Sequence, residues 1–408
     1  MNSKITHKIE NFSHHLTRMG KHTINSIPQN IVFISTMSST PWGGSEELWS
    51  RAAMLLRSQG HTVNASIVKW KDEHDKVKEL RDHGIPLKFW STKKSLANQI
   101  FAKFSIFKNI NFNLKSIYLR NIRPDLVVIS QGYTLDGLEW AIICKRLNIK
   151  YCIIVHANSE QWWPEDKQLN LIRECYSSSS RVFCVSESNR KLLEWQCGML
   201  LQQSEVISNP WHSDTSKGIT WPKPNEICRI ACVGRLDQRA KGQDIIIRLL
   251  AMQKWRQRLV HVNFFGKGPL LESLVNLATM NSVDRISFFG HVQSIAEIWQ
   301  DNEALLLPSR YEGMPIAIIE AMMAGRVVIT TDIGGNAEHI IDNENGFIAN
   351  APNLNSLDEA LERAWAMHKS WEQIGSKARD HIISKINFDP VVKFCDKITN
   401  IKNLSNGN

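Results

Sequence analysis

Short runs of β-branched and apolar residues alternate with helix-patterned stretches along this chain, and the alternation occurs twice. Few folds admit that rhythm. Parallel strands need long crossovers, usually helical, so repeated strand–helix units build doubly wound sheets. In the first half the pattern predicts strands at Ile31–Ser35, Thr62–Val68, Asp125–Ser130, Tyr151–His156 and Arg181–Val185. Helices are expected at Glu46–Ser58, where Leu48, Ala52, Leu55 and Leu56 recur at helical spacing, and at Leu138–Leu147. Ser208–Ile227 holds three Pro, two Trp and many turn formers, and reads as a connection between domains. Strands then resume at Arg229–Val233, His261–Phe265, Ile286–Phe289, Ala304–Leu307 and Val327–Thr331, nearly continuously apolar as strands covered on both faces should be. The expected fold class is α/β, with two Rossmann-like doubly wound domains facing across a cleft. The division is a polar, basic extension over 1–29, an N-terminal domain over 30–208, a C-terminal domain over 209–380, and a C-terminal helix over 381–408 that returns to the N-terminal domain.

The longest apolar runs, Leu126–Ile129 and Tyr151–Val155, fall far short of the roughly 20 residues of a membrane span. Residues 1–29 lack the apolar core of a secretory signal, and the eight Cys are scattered without C-x-x-C spacing. Structural cysteines in a cytoplasmic protein are expected. The formal charge of +9 lies wholly in the first half: residues 1–200 carry 27 Lys and Arg against 17 Asp and Glu. Within it, Leu87–Arg123 has eight cations, no acid and seven aromatic residues. Two readings stand for this segment. It is either a surface for anionic lipid headgroups, which would make the protein peripheral at the inner face of a membrane, or an amphipathic surface element with its Phe stripe in the core. Nucleic acid is not an expected partner.

The densest chemical signal is Arg310-Tyr-Glu312-Gly313-Met314-Pro315-Ile316-Ala317-Ile-Ile-Glu320, directly after the strand Ala304–Leu307. Pro315 suits the first turn of a helix, whose N–H groups make an anion site. Glu312 lies before that helix and Glu320 five residues beyond Pro315, so the two carboxylates flank a diphosphate docked at the helix start and each accepts hydrogen bonds from paired hydroxyls. Gly234-Arg235 and Lys241-Gly242 follow the strand Arg229–Val233 and set two cations around one turn. Pro41-Trp42-Gly43-Gly44-Ser45-Glu46 follows Ile31–Ser35 and opens a helix, another candidate backbone anion nest.

Together these residues resemble the retaining nucleotide-sugar glycosyltransferases of family 4, which have the GT-B fold. The likeness runs from about Ile31 to Phe388 and is most specific over Arg229–Phe347, where Glu312 and Glu320 match the family's E-x7-E pattern. Phe265-Gly-Lys-Gly-Pro269, Gly290-His291-Val292 and Gly334-Gly335-Asn-Ala-Glu338 are similar to further landmarks of the family. The resemblance implies that Glu312 contacts the donor sugar, Glu320 the ribose, and Arg235 and Lys241 the diphosphate. It also implies that the backbone of Gly313, Met314, Pro315, Ile316 and Ala317 touches sugar and phosphate, and that His291 and Val292 lie by the base. Gly43 and Gly44 would let the N-terminal domain approach the diphosphate, and His156 would be the active-site histidine. Arg235 and Lys241 stand one residue further apart than in the commonest form of the motif. Asn158, Glu160, Trp162 and Trp163 are candidate acceptor contacts.

The likeness implies transfer of a sugar from a UDP- or GDP-linked donor to a glycan, lipid-linked or small-molecule acceptor in surface polysaccharide or glycoconjugate synthesis. No cofactor is expected, and no metal, since no D-x-D pair follows a strand and Asp72–Asp75 reads as solvated. The alternatives are a GT-B sugar-nucleotide epimerase and a non-catalytic nucleotide-sugar-binding protein. A dinucleotide oxidoreductase is disfavoured, because no G-x-G-x-x-G opens a helix after a strand.

Overall fold

The computed structural model describes residues 27–91, 106–211, 219–292, 294–386 and 388–401. The chain divides into two compact units, one holding Thr23–Pro210 together with Phe388–Asn408, the other holding Trp211–Asn387. Among the described residues the first unit has seven strands: β1 Asn30–Ser35, β2 Thr62–Val68, β3 Leu87–Trp90, β4 Leu126–Gln131, β5 Tyr151–Val155, β6 Arg181–Cys184 and β7 Ser204–Val206. They form one parallel sheet in the order β3-β2-β1-β4-β5-β6-β7. The second unit has six: β8 Cys228–Val233, β9 Val260–Phe265, β10 Ile286–Gly290, β11 Ala304–Leu307, β12 Val327–Thr331 and β13 Phe347–Ala349. These too are parallel, in the order β10-β9-β8-β11-β12-β13.

Each sheet reverses its strand order once, between β1 and β4 and between β8 and β11. A reversal sends the helices on either side to opposite faces and leaves an opening beyond the carboxyl ends of the strands. The side-chain alternation of β1 displays the two faces. Ile31 and Phe33 enter a core shared with the helices Gly44–Ser58 and Asp75–Asp82, whereas Val32 and Ile34 enter one shared with Leu138–Arg146, Asp166–Ser177 and Glu187–Cys197. The C-terminal helix Pro390–Thr399 belongs to the first of these cores. Asp389 caps it, Phe394 meets Phe183 edge to face at 5.0 Å, and Gln29 Nε2 donates to Thr399 O at 2.8 Å. In the second unit, strands β8, β9, β11 and β12 pack with the helices Gln243–Leu250, Leu271–Met280 and Leu354–Ala366 around Trp255 and Trp371.

Three strands were not anticipated from the pattern: β3, β7 and β13. All are three or four residues long and lie at a sheet edge, too short to show a pattern; β3 and β7 are also only partly covered, whereas Phe347 and Ala349 of β13 are buried. All eight cysteines are buried and free. Of the basic, aromatic segment, Leu87–Trp90 is the edge strand and Ile106–Ile122 is a helix. Trp90 and Tyr118 pack edge-on around Trp140, and Lys115 lies over Trp140 while pairing with Glu139 at 2.7 Å. This part of the segment therefore packs inward. Lys93, Lys94, Phe101, Lys103 and Phe104 lie outside the described residues, as does 1–26 of the N-terminal extension. No helix among the described residues is long and apolar enough to cross a membrane.

Candidate active site

The reversal point of the second unit is built by the loops after β8 and β11. Asp237 caps the short helix Gln238–Lys241 by accepting from Arg239 N at 3.1 Å, and it pairs with Arg235 at 3.0 Å. Gln243 Nε2 donates to Arg235 O at 2.8 Å. These bonds fix the turn that carries the two cations. The loop after β11 is tied to it: Arg310 N donates to Ala240 O at 2.7 Å, and the Arg310 guanidinium holds Asp244 through two bonds of 2.6 and 2.8 Å. Arg310 is thereby committed to holding the two loops together.

The result is a direct contact between the two halves of the constellation. Lys241 Nζ donates to Glu312 Oε1, which also accepts from Ser309 Oγ at 2.8 Å. Both partners are largely buried, with side chains 19% and 11% exposed. A charge-assisted pair in such a setting is strong and fixes both groups in place. The aliphatic stem of Lys241 runs 3.4 Å from where a Cβ on Gly234 would stand. Pro315 sits at the N-cap of the helix Ile316–Met323, one position earlier than the sequence suggested, with extended backbone. Glu320 is buried inside that helix. Gly334, at φ +56°, closes the loop after β12 over this segment: a Cβ there would stand 2.4 Å from Glu312 O, and Gly335 N donates to Gly313 O at 2.7 Å. The Gly334-Gly335 landmark is thus a backbone clamp on the Glu312 loop. His291 and Val292 follow β10, two strands from β8, and His291 is exposed.

In the first unit, Gly43 and Gly44 open the helix Gly44–Ser58 just beyond β1. Gly43 is extended, and a Cβ added to it would have its nearest neighbour 3.6 Å away. Nothing in the unit's own packing requires a glycine there. His156 directly follows β5 and is buried, with Nδ1 3.2 Å from Asn209 Oδ1 and Nε2 3.1 Å from Ser130 Oγ. Because an amide oxygen only accepts, Nδ1 carries the proton. Burial pulls the His156 pKa down to about 4, so the ring is neutral at physiological pH. Of the candidate acceptor contacts, Asn158 is buried with its Nδ2 unbonded. Trp162 meets Tyr133 edge-on at 5.4 Å, Trp163 is 59% exposed, and Glu160 is exposed.

Two further side chains of the second-unit site, Asp237 and Ser309, escaped sequence reasoning. Asp237 had a signal, two residues from Arg235 in a tight turn, whereas Ser309 had none. Away from this site, Cys228, Glu303 and His368 gather at the amino ends of β8 and β11. His368 bonds Glu303 at 3.2 Å and is stacked on Trp365, and burial pushes the Cys228 thiol far up, which marks a packed contact.

Comparison with known proteins bears on the family and the fold. The family model described as Glycosyltransferase Family 4 matches residues 42–214, and that described as Glycosyl transferases group 1 matches 228–367. A poly(ribitol-phosphate) α-N-acetylglucosaminyltransferase of Staphylococcus aureus (strain COL) is 24% identical over 46% of this chain, which spans only 36% of that relative. A UDP-Gal:α-D-GlcNAc-diphosphoundecaprenol α-1,3-galactosyltransferase of Escherichia coli is 31% identical over 33% of this chain and 35% of its own length. Among solved structures, Anabaena Alr3699/HepE in complex with UDP superposes with a TM-score of 0.68 at 18% identity, covering 92% of this chain and all of that one. With two family models that together match well over half of its length and a fold shared with GT-B structures, the chain belongs to the family 4 glycosyltransferases.

Proposed function

We propose that this protein is a retaining glycosyltransferase that moves a sugar from a UDP- or GDP-linked donor to a glycan or lipid-linked acceptor in surface polysaccharide synthesis. The observation that carries the reading is the Lys241–Glu312 contact at the reversal point of the second unit, beside Arg235 and the start of the helix Ile316–Met323. The names of the relatives point the same way, since one acts on poly(ribitol-phosphate) and another takes UDP-galactose to a diphosphoundecaprenol acceptor.

Breaking the bond between the sugar C1 and the diphosphate oxygen leaves negative charge on the diphosphate and an oxocarbenium-like sugar. Arg235, Lys241 and the helix start are placed to stabilise the departing charge electrostatically. Glu312 holds the sugar's hydroxyls and Glu320 the ribose. The acceptor hydroxyl then bonds to C1 on the face the diphosphate left, and its proton passes to the departing phosphate oxygen. On this reading the neutralising charge comes from side chains and calls for no metal ion. His156, neutral and held at both ring nitrogens, positions the sugar and takes no proton.

A thermal-shift panel of UDP, GDP, ADP and their sugar conjugates tests the donor site. A nucleotide at about 100 times its Kd should stabilise the fold by about 2.7 kcal/mol. One nucleotide is expected to raise Tm, and Glu320→Ala to abolish the shift; a panel with no shift would overturn the reading.

We also propose that the protein docks on an anionic membrane through the helix Ile106–Ile122. Leu114 and Ile117, three residues apart on one face, are each 49% exposed, with exposed Arg120 and Arg123 beside them. Binding to vesicles containing phosphatidylglycerol should weaken with salt and fall in Leu114→Gln/Ile117→Gln. Equal binding to neutral phosphatidylcholine vesicles would count against it.

A further inference from the structure

Three metal-ligating side chains of different chemistry meet at the amino ends of the second unit's strands, at the other end of the sheet from the turns of Arg235 and Glu312. Cys228 opens β8, Glu303 directly precedes β11, and His368 begins the short turn His368–Ser370 between the helices Leu354–Ala366 and Trp371–Lys385. One sulfur, one carboxylate oxygen and one ring nitrogen all lie within 4.8 Å of one another. The chain is fixed around them. β8 and β11 are neighbours in the sheet, and Glu303 N donates to Arg229 O at 2.8 Å, which holds the carboxylate beside the thiol. The His368 ring stacks on Trp365 with centres 4.9 Å and planes 12° apart, and Trp371 meets it at 81° with centres 4.7 Å apart. Trp371 is itself buried and donates Nε1 to Ala364 O at 2.8 Å. The imidazole is thus oriented by two tryptophans before any ion arrives.

Packing alone does not explain this choice of groups. The Glu303 side chain is only 16% exposed, and a charge so placed calls for a partner. Arg326 feels that charge, but its guanidinium donates to the carbonyls of Trp299, Ala324 and Thr220 at 2.5 to 3.0 Å. A divalent cation would balance the cluster: with a thiolate, a carboxylate and a neutral imidazole its charge sums to zero, as a largely buried site requires. Sulfur, nitrogen and oxygen together suit zinc, whereas calcium and magnesium take oxygen. Donor atoms of a tetrahedral zinc site stand about 3.3 to 3.6 Å apart; His368 Nε2 and Glu303 Oε2 are 3.2 Å apart, and about 1 Å of side-chain movement closes the rest. The His368 side chain, a third exposed, leaves a path of entry.

We propose that Cys228, Glu303 and His368 bind one Zn²⁺, with water as the fourth ligand, and that the ion is structural. It ties the starts of β8 and β11 to the turn between the last two helices of this unit. On binding, the Cys228 thiol releases its proton to water; without the ion it keeps the proton, and the three groups remain a packed contact. The site takes no part in sugar transfer, whose proposed residues lie at the carboxyl ends of the same strands.

The test is titration of the chelator-treated full chain with Co²⁺ and then with Zn²⁺. One Co²⁺ per chain should bring up a thiolate-to-cobalt charge-transfer band, and Zn²⁺ should displace it and raise Tm. Cys228→Ala should abolish the band. His368→Gln, a change at a partly exposed side chain, should leave a cooperative melt and weaken Zn²⁺ binding at least about tenfold. A missing band in the unaltered protein, a band that survives in Cys228→Ala, or Zn²⁺ affinity within a few-fold of normal in His368→Gln would each overturn the proposal. Should Cys228→Ala fail to fold, X-ray absorption at the zinc edge of the unaltered protein decides: one sulfur in the coordination shell supports the site, and none overturns it.

Discussion

Lys241→Ala is expected to lower kcat/KM for sugar transfer by about a hundredfold to a thousandfold while leaving the fold in place. The magnitude comes from the cost of removing one preorganised group aimed at charge that develops in the transition state. On the proposed mechanism Lys241 is such a group, and the Asp237 cap fixes its helix while Glu312 fixes its ammonium. Truncating it also leaves the largely buried Glu312 carboxylate with Ser309 as its remaining named partner, so part of the loss passes through Glu312. Glu312→Ala should therefore cost a comparable amount, and the double variant clearly less than the two losses combined, because the pair acts as one unit. Steady-state kinetics with the donor found in the nucleotide panel, beside melting curves for each variant, make the comparison. Turnover within a few-fold of the unaltered protein in Lys241→Ala would remove this pair from the mechanism.

The residues proposed for the second unit's site were legible in the sequence because they lie close to strand ends. Arg235, Lys241, Glu312 and Glu320 all come from two strand ends and the turns and short helices directly after them, where a continuous apolar run announces the strand and Gly and Pro announce the turn. Strands Thr62–Val68, Ala304–Leu307 and Val327–Thr331 coincide with their expected bounds for the same reason. What escaped has a different physics. The edge strands Leu87–Trp90, Ser204–Val206 and Phe347–Ala349 are too short to show a pattern, and the first two are only partly covered as well. The aromatic residues of 87–123 left two readings open, because what decides between them is remote in sequence: Trp90 and Tyr118 pack on Trp140. Glu46 escaped most completely. Ser45-Glu46-Glu47 reads as ordinary acidic first-turn composition, and only three-dimensional burial separates Glu46, whose pKa is raised to about 7, from Glu47, which Trp42 and Arg51 hold below its usual value against its own burial.

Gly266→Ala and Gly43→Ala should divide stability from binding, because one glycine answers to the fold and the other to nothing inside it. Gly266 has φ +137°, a region closed to residues with a Cβ, and a Cβ there would stand 2.1 Å from Gly234 O. Its N–H donates to Gly290 O at 2.6 Å, and Leu236 N donates to the next residue's carbonyl, Lys267 O, at 3.1 Å. The Phe265–Pro269 segment is therefore a backbone buttress under the turn that carries Arg235. Forcing in a side chain displaces that turn or breaks the β9–β10 register, at a cost of at least about 3 kcal/mol. Urea denaturation should show the midpoint falling sharply, with donor binding reduced in what remains folded. Gly43 is extended and has room for a methyl group, so Gly43→Ala should change the unfolding free energy by less than about 0.5 kcal/mol. If the proposed donor reading of this turn holds, a methyl group at this helix start should lower donor affinity at least tenfold. A Gly43→Ala protein that binds nucleotide sugar normally would remove the first unit's turn from the donor site, and a Gly266→Ala protein of ordinary stability would show that the buttress yields where its geometry says it must not.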